Sequence, residues 1–348
     1  MTRPMADSEA HSPTGSGGGA AATPDGLSSP RERWPLLRLM RPHQWGKSVF
    51  ILIGPMYGFK LIDPGTIGAA AVATLGAVGA FSLASSGCYV LNDIADREAD
   101  RAHPRKRLRP IASGAVGLGT ARALAVGLLL AGLGCVAVTG AATGWLAPDG
   151  TMAGPGVLLL ACLLAYIANT LAYTRWLKHQ PILDVVSLSM GFVLRVLAGC
   201  AAVMVEPSTW LLNCTLFIAM YLSFGKRLGE RRTMAESVGG ASSARKVQAW
   251  YTDALLRMVV VVTAVAALVT YAGYVQSRAD VYTYGFNWLW LTTLPAVYGM
   301  LRSIMLLELG QYDDPTELAI SDRPFQLAVA LFGLMTVVLM VFFHANGT

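Results

Sequence analysis

The 348-residue chain is 54% hydrophobic and 14% charged, with a mean hydropathy of +0.50 and a formal net charge of +6. An ordinary soluble domain carries about 25% charge, so these values exclude a soluble globular domain and a disordered chain. A membrane helix takes about 20 apolar residues, and the apolar content suffices for about nine.

Residues 1–30 are rich in Ser, Gly, Ala and Pro, lack a signal-peptide core, and read as a disordered tail ahead of one membrane domain over 31–348. Residues 31–47 interleave four arginines and a lysine with Trp34, Leu36, Leu37, Leu39, Met40 and Trp45. That pattern suits an interfacial segment on an anionic leaflet, or a basic flank to the first span. Nine apolar segments follow, near 48–62, 67–91, 119–141, 154–173, 182–204, 208–225, 254–275, 286–307 and 325–344. An all-α bundle of nine transmembrane helices is expected, because helices satisfy their backbone groups internally in lipid. All five cysteines (Cys88, Cys135, Cys162, Cys200, Cys214) sit in apolar stretches, which argues against disulfides and zinc.

Of the 27 Lys and Arg residues, 22 lie in the N-terminal region and in the loops after spans two, four, six and eight. The positive-inside rule places those loops and the N-terminus in the cytoplasm and the C-terminus outside; the membrane is expected to be the plasma membrane. Arg278 is the clear exception. No nucleic-acid partner is expected.

The loop after span two opens Asn92-Asp93-Ile94-Ala95-Asp96-Arg97-Glu98-Ala99-Asp100. On a continued helix, Asn92, Asp93, Asp96 and Asp100 would share a face, and their like charges would repel. A hard divalent cation offsets such repulsion, and magnesium completes its shell with water and substrate phosphates. Asp93, Asp96 and Asp100 are therefore the candidate metal ligands. A solvated acidic helix end is the plainer alternative. Arg105, Lys106, Arg107 and Arg109 follow at once and could take further phosphates, or orient the chain in the membrane.

After span four come Tyr173, Lys178, His179 and, inside span five, Asp184 and Arg195. Asp184 and Arg195 differ in helical bearing by only about 20°, and Gly191 and Gly199 lie near the same stripe, open to a ligand or a helix. Ionisable groups within a span usually face a polar cavity; a structural Asp–Arg link between helices is the alternative. His179 reads as interfacial. In the loop after span six, Lys226, Arg227 and Glu230 suit anion binding or plain helix-surface pairing. The acidic stretch Asp313–Glu317 and Asp322 could form a second acidic wall or a lid.

Asn92-Asp93-x-x-Asp96-x-x-x-Asp100 after an apolar helix resembles the signature of UbiA-type membrane prenyltransferases, over residues 41–344. One departure is that the loop after span six lacks a second Asp-rich motif. The chain instead carries Tyr173, Lys178, Asp184 and Arg195. It also has Arg41-Pro42-x-Gln44-Trp45-x-Lys47, His103-Pro104, Arg109 through Gly114, and Asp322-Arg323-Pro324. In these it is similar to the branch that moves phosphoribose onto decaprenyl phosphate for actinobacterial cell-wall arabinan; Ser48 departs from that branch's Asn.

The resemblance implies a cytoplasm-facing site with Mg2+ as cofactor, phosphoribosyl diphosphate as donor and a polyprenyl phosphate, expected to be decaprenyl, as acceptor. It implies catalytic roles for Asp93, Asp96 and Lys178. Substrate contacts would come from Lys47, Asn92, Arg105, Arg109, Tyr173, Asp184, Arg195, Lys226, Arg227 and Glu230. The acceptor phosphate is already anionic near neutral pH, so it needs no general base, and attack opposite the diphosphate would invert the anomeric carbon. A prenyl diphosphate joined to an aromatic acceptor is the alternative reaction. A transporter is a further alternative, disfavoured by the lack of paired broken helices in matching halves. Acceptor length and oligomeric state, homo-oligomer included, stay open.

Overall fold

Long apolar runs can cross lipid only if each backbone group finds its partner within its own segment, and the described residues accordingly fold almost wholly into helices. The structure, a computed structural model, describes residues 34–103, 106–146, 154–236, 250–311 and 321–346. The expected tail, Arg105 and the acidic stretch 313–317 lie outside these residues. In chain order come α1 (Pro35–Met40), a 3-10 segment (Pro42–Leu52), α2 (Ile53–Tyr57), α3 (Ile67–Ala95), α4 (Arg97–Ala102), α5 (Leu118–Thr143) and α6 (Pro155–Arg175). Then follow α7 (Leu183–Ala202), α8 (Thr209–Glu236), α9 (Asp253–Ser277), α10 (Ala279–Tyr282), α11 (Thr293–Glu308) and α12 (Arg323–Asn346). The strands among the described residues are β1 (Thr283–Tyr284) and β2 (Phe286–Asn287), an antiparallel hairpin turning on Gly285 at φ 70°.

Among the described residues, seven helical stretches are long and apolar enough to cross a membrane: α3, α5, α6, α7, α9, Trp288–Glu308 and α12. α8 has the length, but Asn213 and Lys226 dilute its apolar character. The expected first segment, 48–62, is not one continuous α-helix. Pro42 starts a 3-10 helix where its missing N–H costs nothing, and Pro55 falls in the first turn of α2, where no intrahelical donor is needed.

This broken segment still runs the depth of the bundle. Arg41 meets Asp93 at the C-terminal end of α3, Ile51 packs on Gly199 of α7, and Tyr57 sets its ring 5.2 Å from that of Tyr274 near the end of α9. With about 2.0 Å of rise per 3-10 residue, it covers roughly 30 Å. Serines of α3 hold it in place: Trp45 Nε1 donates to Ser86 Oγ at 2.9 Å, Ser86 Oγ donates to the Met40 carbonyl at 2.6 Å, and the hydroxyls of Ser48 and Ser82 bond at 2.9 Å.

α7 is the most enclosed of the seven stretches. A Cβ at Gly199 would collide with the Ile51 backbone, and one at Gly132 of α5 would press on the Ala80 carbonyl of α3 at 3.0 Å. Small residues thus let backbones approach, as is usual between membrane helices. One apolar cluster (Ala77, Phe81, Val136, Leu163, Tyr166, Ala198) joins α3, α5, α6 and α7. A second (Val185, Phe224, Leu228, Leu256, Val260, Leu307) joins α7, α8, α9 and α11. Arg302 grips Asp322 through two bonds of 2.7 and 2.9 Å, and Asp322 also accepts from the Phe325 N–H, which fixes the start of α12. The Arg302 bonds hold the Asp322 carboxyl below its ordinary range. No two of the five cysteines pair.

Candidate active site

α3 runs four residues past its expected end, so Asn92 and Asp93 are helical. The helix breaks at Asp96 (φ −91°, ψ 4°) and resumes as α4, with the Asp100 N–H bonded to the Asp96 carbonyl at 2.8 Å. The break splits the motif. Asp93 and Asp100 share Arg109 whereas Asp96 pairs with Lys178, and the described His, Cys, Asp and Glu residues do not gather three ligands at one point.

Each carboxylate meets a cation. Arg41 Nη2 lies 2.6 Å from Asp93 Oδ1. Arg109 Nη1 stands between two carboxylates, 3.2 Å from Asp93 Oδ1 and 2.7 Å from Asp100 Oδ2. Lys178 Nζ pairs with Asp96 Oδ1. Asn92 Nδ2 donates to Asp96 Oδ2 at 3.1 Å, and Thr174 of α6 donates to Asn92 Oδ1 at 3.2 Å. The expectation of mutually repelling carboxylates is therefore corrected: arginine and lysine already offset the repulsion. Beside Asp93 opens a cleft of about 180 Å³ lined by Arg38, Arg41, His43, Asp93, Arg109 and Pro110.

A second polar cluster lies between α7 and α8. Asp184 accepts from Arg227 Nε at 3.3 Å and from the Tyr251 hydroxyl at 2.6 Å, and Arg227 Nη1 reaches Glu230 at 2.8 Å. Tyr251 also accepts the Ile182 N–H at 2.6 Å, where the backbone turns through φ 69°. Burial and the bond to Asp184 push its phenol well above the ordinary range. Tyr173 lies within electrostatic reach of Arg227.

Arg195 is separate from Asp184. Eleven residues of helix put them about 16 Å apart along the axis, whatever their bearing. Arg195 is buried and donates to the Gly191 carbonyl (2.7 Å) and to Tyr166 (3.1 Å). Its guanidinium lies 4.6 Å from the Tyr166 ring centroid and 5.8 Å from that of Phe192, while its Nε has no hydrogen-bond partner among the described residues. The Arg41 guanidinium lies 5.2 Å from the Tyr89 ring centroid. Lys226 is exposed, Lys47 is half-buried in the 3-10 segment, and His179 is exposed.

The structure thus gathers Asn92, Asp93, Asp96, Asp100, Arg109 and Lys178, and sets Asp184, Arg227, Glu230 and Tyr173 in a second cluster. Arg38, Arg41, His43, Thr174 and Tyr251 join these clusters without being among the expected site residues. Arg41 alone had a local signal, the Arg41-Pro42 pair ahead of the first span, and its left-handed φ of 51° aims the side chain at α3.

Residues 49–330 match the model of the UbiA prenyltransferase family. The chain is 34% identical to the decaprenyl-phosphate phosphoribosyltransferase of Mycolicibacterium smegmatis, covering 84% of this chain and 88% of that one. It is 31% identical to the enzyme of the same name from Corynebacterium glutamicum, covering 88% and 86%. Among solved structures, a UbiA homologue from Archaeoglobus fulgidus bound to DMAPP and Mg2+ superposes with a TM-score of 0.61 at 15% identity, covering 87% of this chain and 98% of that one. An acidic motif at the end of a long apolar helix, the bundle that carries it and these matches agree: the chain belongs to the UbiA prenyltransferase family.

Proposed function

We propose that this chain transfers 5-phosphoribose from phosphoribosyl diphosphate to a polyprenyl phosphate, decaprenyl phosphate in the first instance, and releases diphosphate. The observation that carries the reading is similarity along most of the chain to enzymes named for that reaction. The geometry suits it. A donor with a diphosphate and a 5-phosphate, and an acceptor with a phosphate, put three anionic groups in one place. Arg38, Arg41, Arg109 and Lys178 surround the acidic motif.

A divalent cation fits this site as a shared ligand rather than a caged one. Arg109 Nη1 already bridges Asp93 and Asp100, so the two carboxylates are close enough to hold one positive centre, and magnesium commonly takes one or two carboxylates and completes its shell with phosphate oxygens and water. Asp93 and Asp100 would hold it, with Asp96 beyond the helix break, beside Lys178. When bound, Mg2+ supplies charge to the departing diphosphate.

The protein's own contribution is positional. Asn92 and Thr174 hold the Asp96 carboxylate toward Lys178. The cleft arginines orient phosphate oxygens with charge-assisted bonds. Lys47, Lys178, Arg195 and Lys226 are the cations that draw donor and acceptor together, where charge on the ribose carbon is stabilised by preorganised groups, whereas Arg227 is already taken by Asp184 and Glu230. Attack from the face opposite the diphosphate inverts the anomeric carbon.

Nine crossings complete the reading: the segment expected at 48–62, broken and begun earlier at residue 41, as the first, α8 as the sixth, the N-terminus and site cytoplasmic and the C-terminus external. The depth covered by residues 41–57 supports the first crossing, and the loop charges support the orientation. Purified protein with Mg2+, labelled phosphoribosyl diphosphate and decaprenyl phosphate should yield a labelled lipid and free diphosphate. If it instead joins a prenyl diphosphate to an aromatic acid, the assignment is wrong.

A further inference from the structure

A bare acidic triad would draw a divalent cation unaided, because the metal relieves its self-repulsion. The triad here is not bare. Asp93, Asp96 and Asp100 face Arg41, Arg109 and Lys178, and formal charges of −3 and +3 cancel. The neighbouring Glu98 is taken by Arg97 (3.6 Å) and Arg101 (3.3 Å) and adds no free negative charge. Arg38 and His43 in the cleft tilt the surroundings toward anions.

Two consequences follow from electrostatics at partly buried groups. A divalent cation arriving alone must displace arginine or lysine from the carboxylates and strand that cation without a partner. A diphosphate arriving alone must draw the same cations away and strand the carboxylates. When both arrive, the metal takes the carboxylates, the phosphate oxygens take the cations, and no charge is left unpaired. The side chains can make this exchange. Asp93 is buried with 3% of its side chain exposed, whereas Arg41 and Arg109 are 22% and 29% exposed and turn into an open cleft. Arg109 is central because one nitrogen occupies the bridging position between Asp93 and Asp100.

We propose that Arg41, Arg109 and Lys178 act as exchangeable counterions that make binding of divalent metal and of diphosphate mutually dependent, so that the site takes a metal–diphosphate unit and discriminates against either part alone. The coupling rests on the metal and diphosphate reading of this site given above, and deepens it. It needs no lipid and no ribose, so it can be measured with inorganic diphosphate.

The test is equilibrium dialysis of the full chain in nanodiscs, with labelled Mn2+ and labelled inorganic diphosphate, corrected for the complex the two form in solution. Each should be retained at least ~10-fold more tightly with the other present, and by the same factor in both directions, as linkage requires. Arg109→Gln should retain Mn2+ alone more tightly than wild type, by ~10-fold, because two carboxylates lose their counterion, and its enhancement by diphosphate should shrink. Lys178→Gln should shift the same way through Asp96. A merely structural arginine would give the opposite sign. Wild type that retains Mn2+ equally with and without diphosphate overturns the proposal, as does an Arg109→Gln protein that binds Mn2+ more weakly. Should both variants fail to fold, the wild-type comparison still decides. Coupling without ribosylated lipid would sink the functional reading alone; ribosylated lipid without coupling would sink this inference alone.

Discussion

Asp93 and Asp184 are the same residue type, 3% and 1% exposed, each facing an arginine from another element. Their partners differ. Arg227 is 5% exposed, is held a second time by Glu230, and shares Asp184 with the Tyr251 hydroxyl. Arg41 and Arg109 are 22% and 29% exposed and border the cleft. A counterion that reaches solvent can be traded for a ligand; one sealed in the core cannot without a large desolvation cost. The accessibility of the partner, more than the burial of the aspartate, separates a binding site from a scaffold joint.

The sharpest way to break that comparison is to neutralise each aspartate in turn. Asp93→Asn should lower turnover by at least ~100-fold, the scale of losing a main electrostatic stabiliser. It should also lower the melting temperature, because Arg41 and Arg109 lose their shared partner; relief of repulsion would raise it. Asp96→Asn should lose turnover similarly with less effect on melting, since Asp96 is 30% exposed. Ribosylated-lipid formation and thermal melting in detergent read the two effects separately.

Asp184→Asn should act in the reverse proportion. It leaves Arg227 buried with Glu230 as its remaining carboxylate, and breaking such a pair costs about 3 kcal/mol of stability. Turnover per folded molecule should change far less than in Asp93→Asn. An Asp184→Asn protein that melts like wild type yet is inactive would move Asp184 into the binding site and erase the distinction.

Much of this was legible in the sequence, and the limits have a physical source. Seven apolar stretches, the acidic motif and its place at the end of α3 follow from local composition and spacing. Lys178 was legible as a cation, but its pairing with Asp96 across 82 residues was not. Helical bearing suggested kinship between Asp184 and Arg195, yet bearing ignores the rise along the axis, and the true partners of Asp184 come from α8 and from Tyr251. The traverse by residues 41–57 was obscured because a 3-10 segment carries no 3.6-residue period and reaches further per residue.

Lys178→Ala tests the open cluster more gently. It removes one charged bond and leaves Asn92 on Asp96, so activity at limiting donor should fall ~10-fold. Arg231→Ala breaks a pair with Asp253 in which the partners are 33% and 58% exposed, and it should change stability by less than about 0.5 kcal/mol. Equal losses of activity in the two variants would show that general positive charge at this end of the bundle, rather than the Asp96 pair, is what matters.

A modest effect is expected at the closed cluster. Tyr251→Phe keeps the ring in the apolar cluster with Phe224 and Leu256 but removes the donor to Asp184 and the acceptor for the Ile182 N–H. A net loss of about 1 kcal/mol is expected, the usual yield of a buried hydrogen bond. Its pH dependence has a definite sign. The folded-state phenol is pushed above its ordinary value by burial and by its bond to the Asp184 carboxylate, and the unfolded phenol titrates near about 10. A group raised in this way contributes its full stability below the unfolded pKa and loses it as pH rises beyond it. Wild type should therefore melt above Tyr251→Phe at neutral pH, with the gap closing only above about pH 10. A gap that opens or reverses between pH 6 and 9 would mean that a group other than the phenol controls this cluster there, and the closed cluster would then be as responsive as the open one.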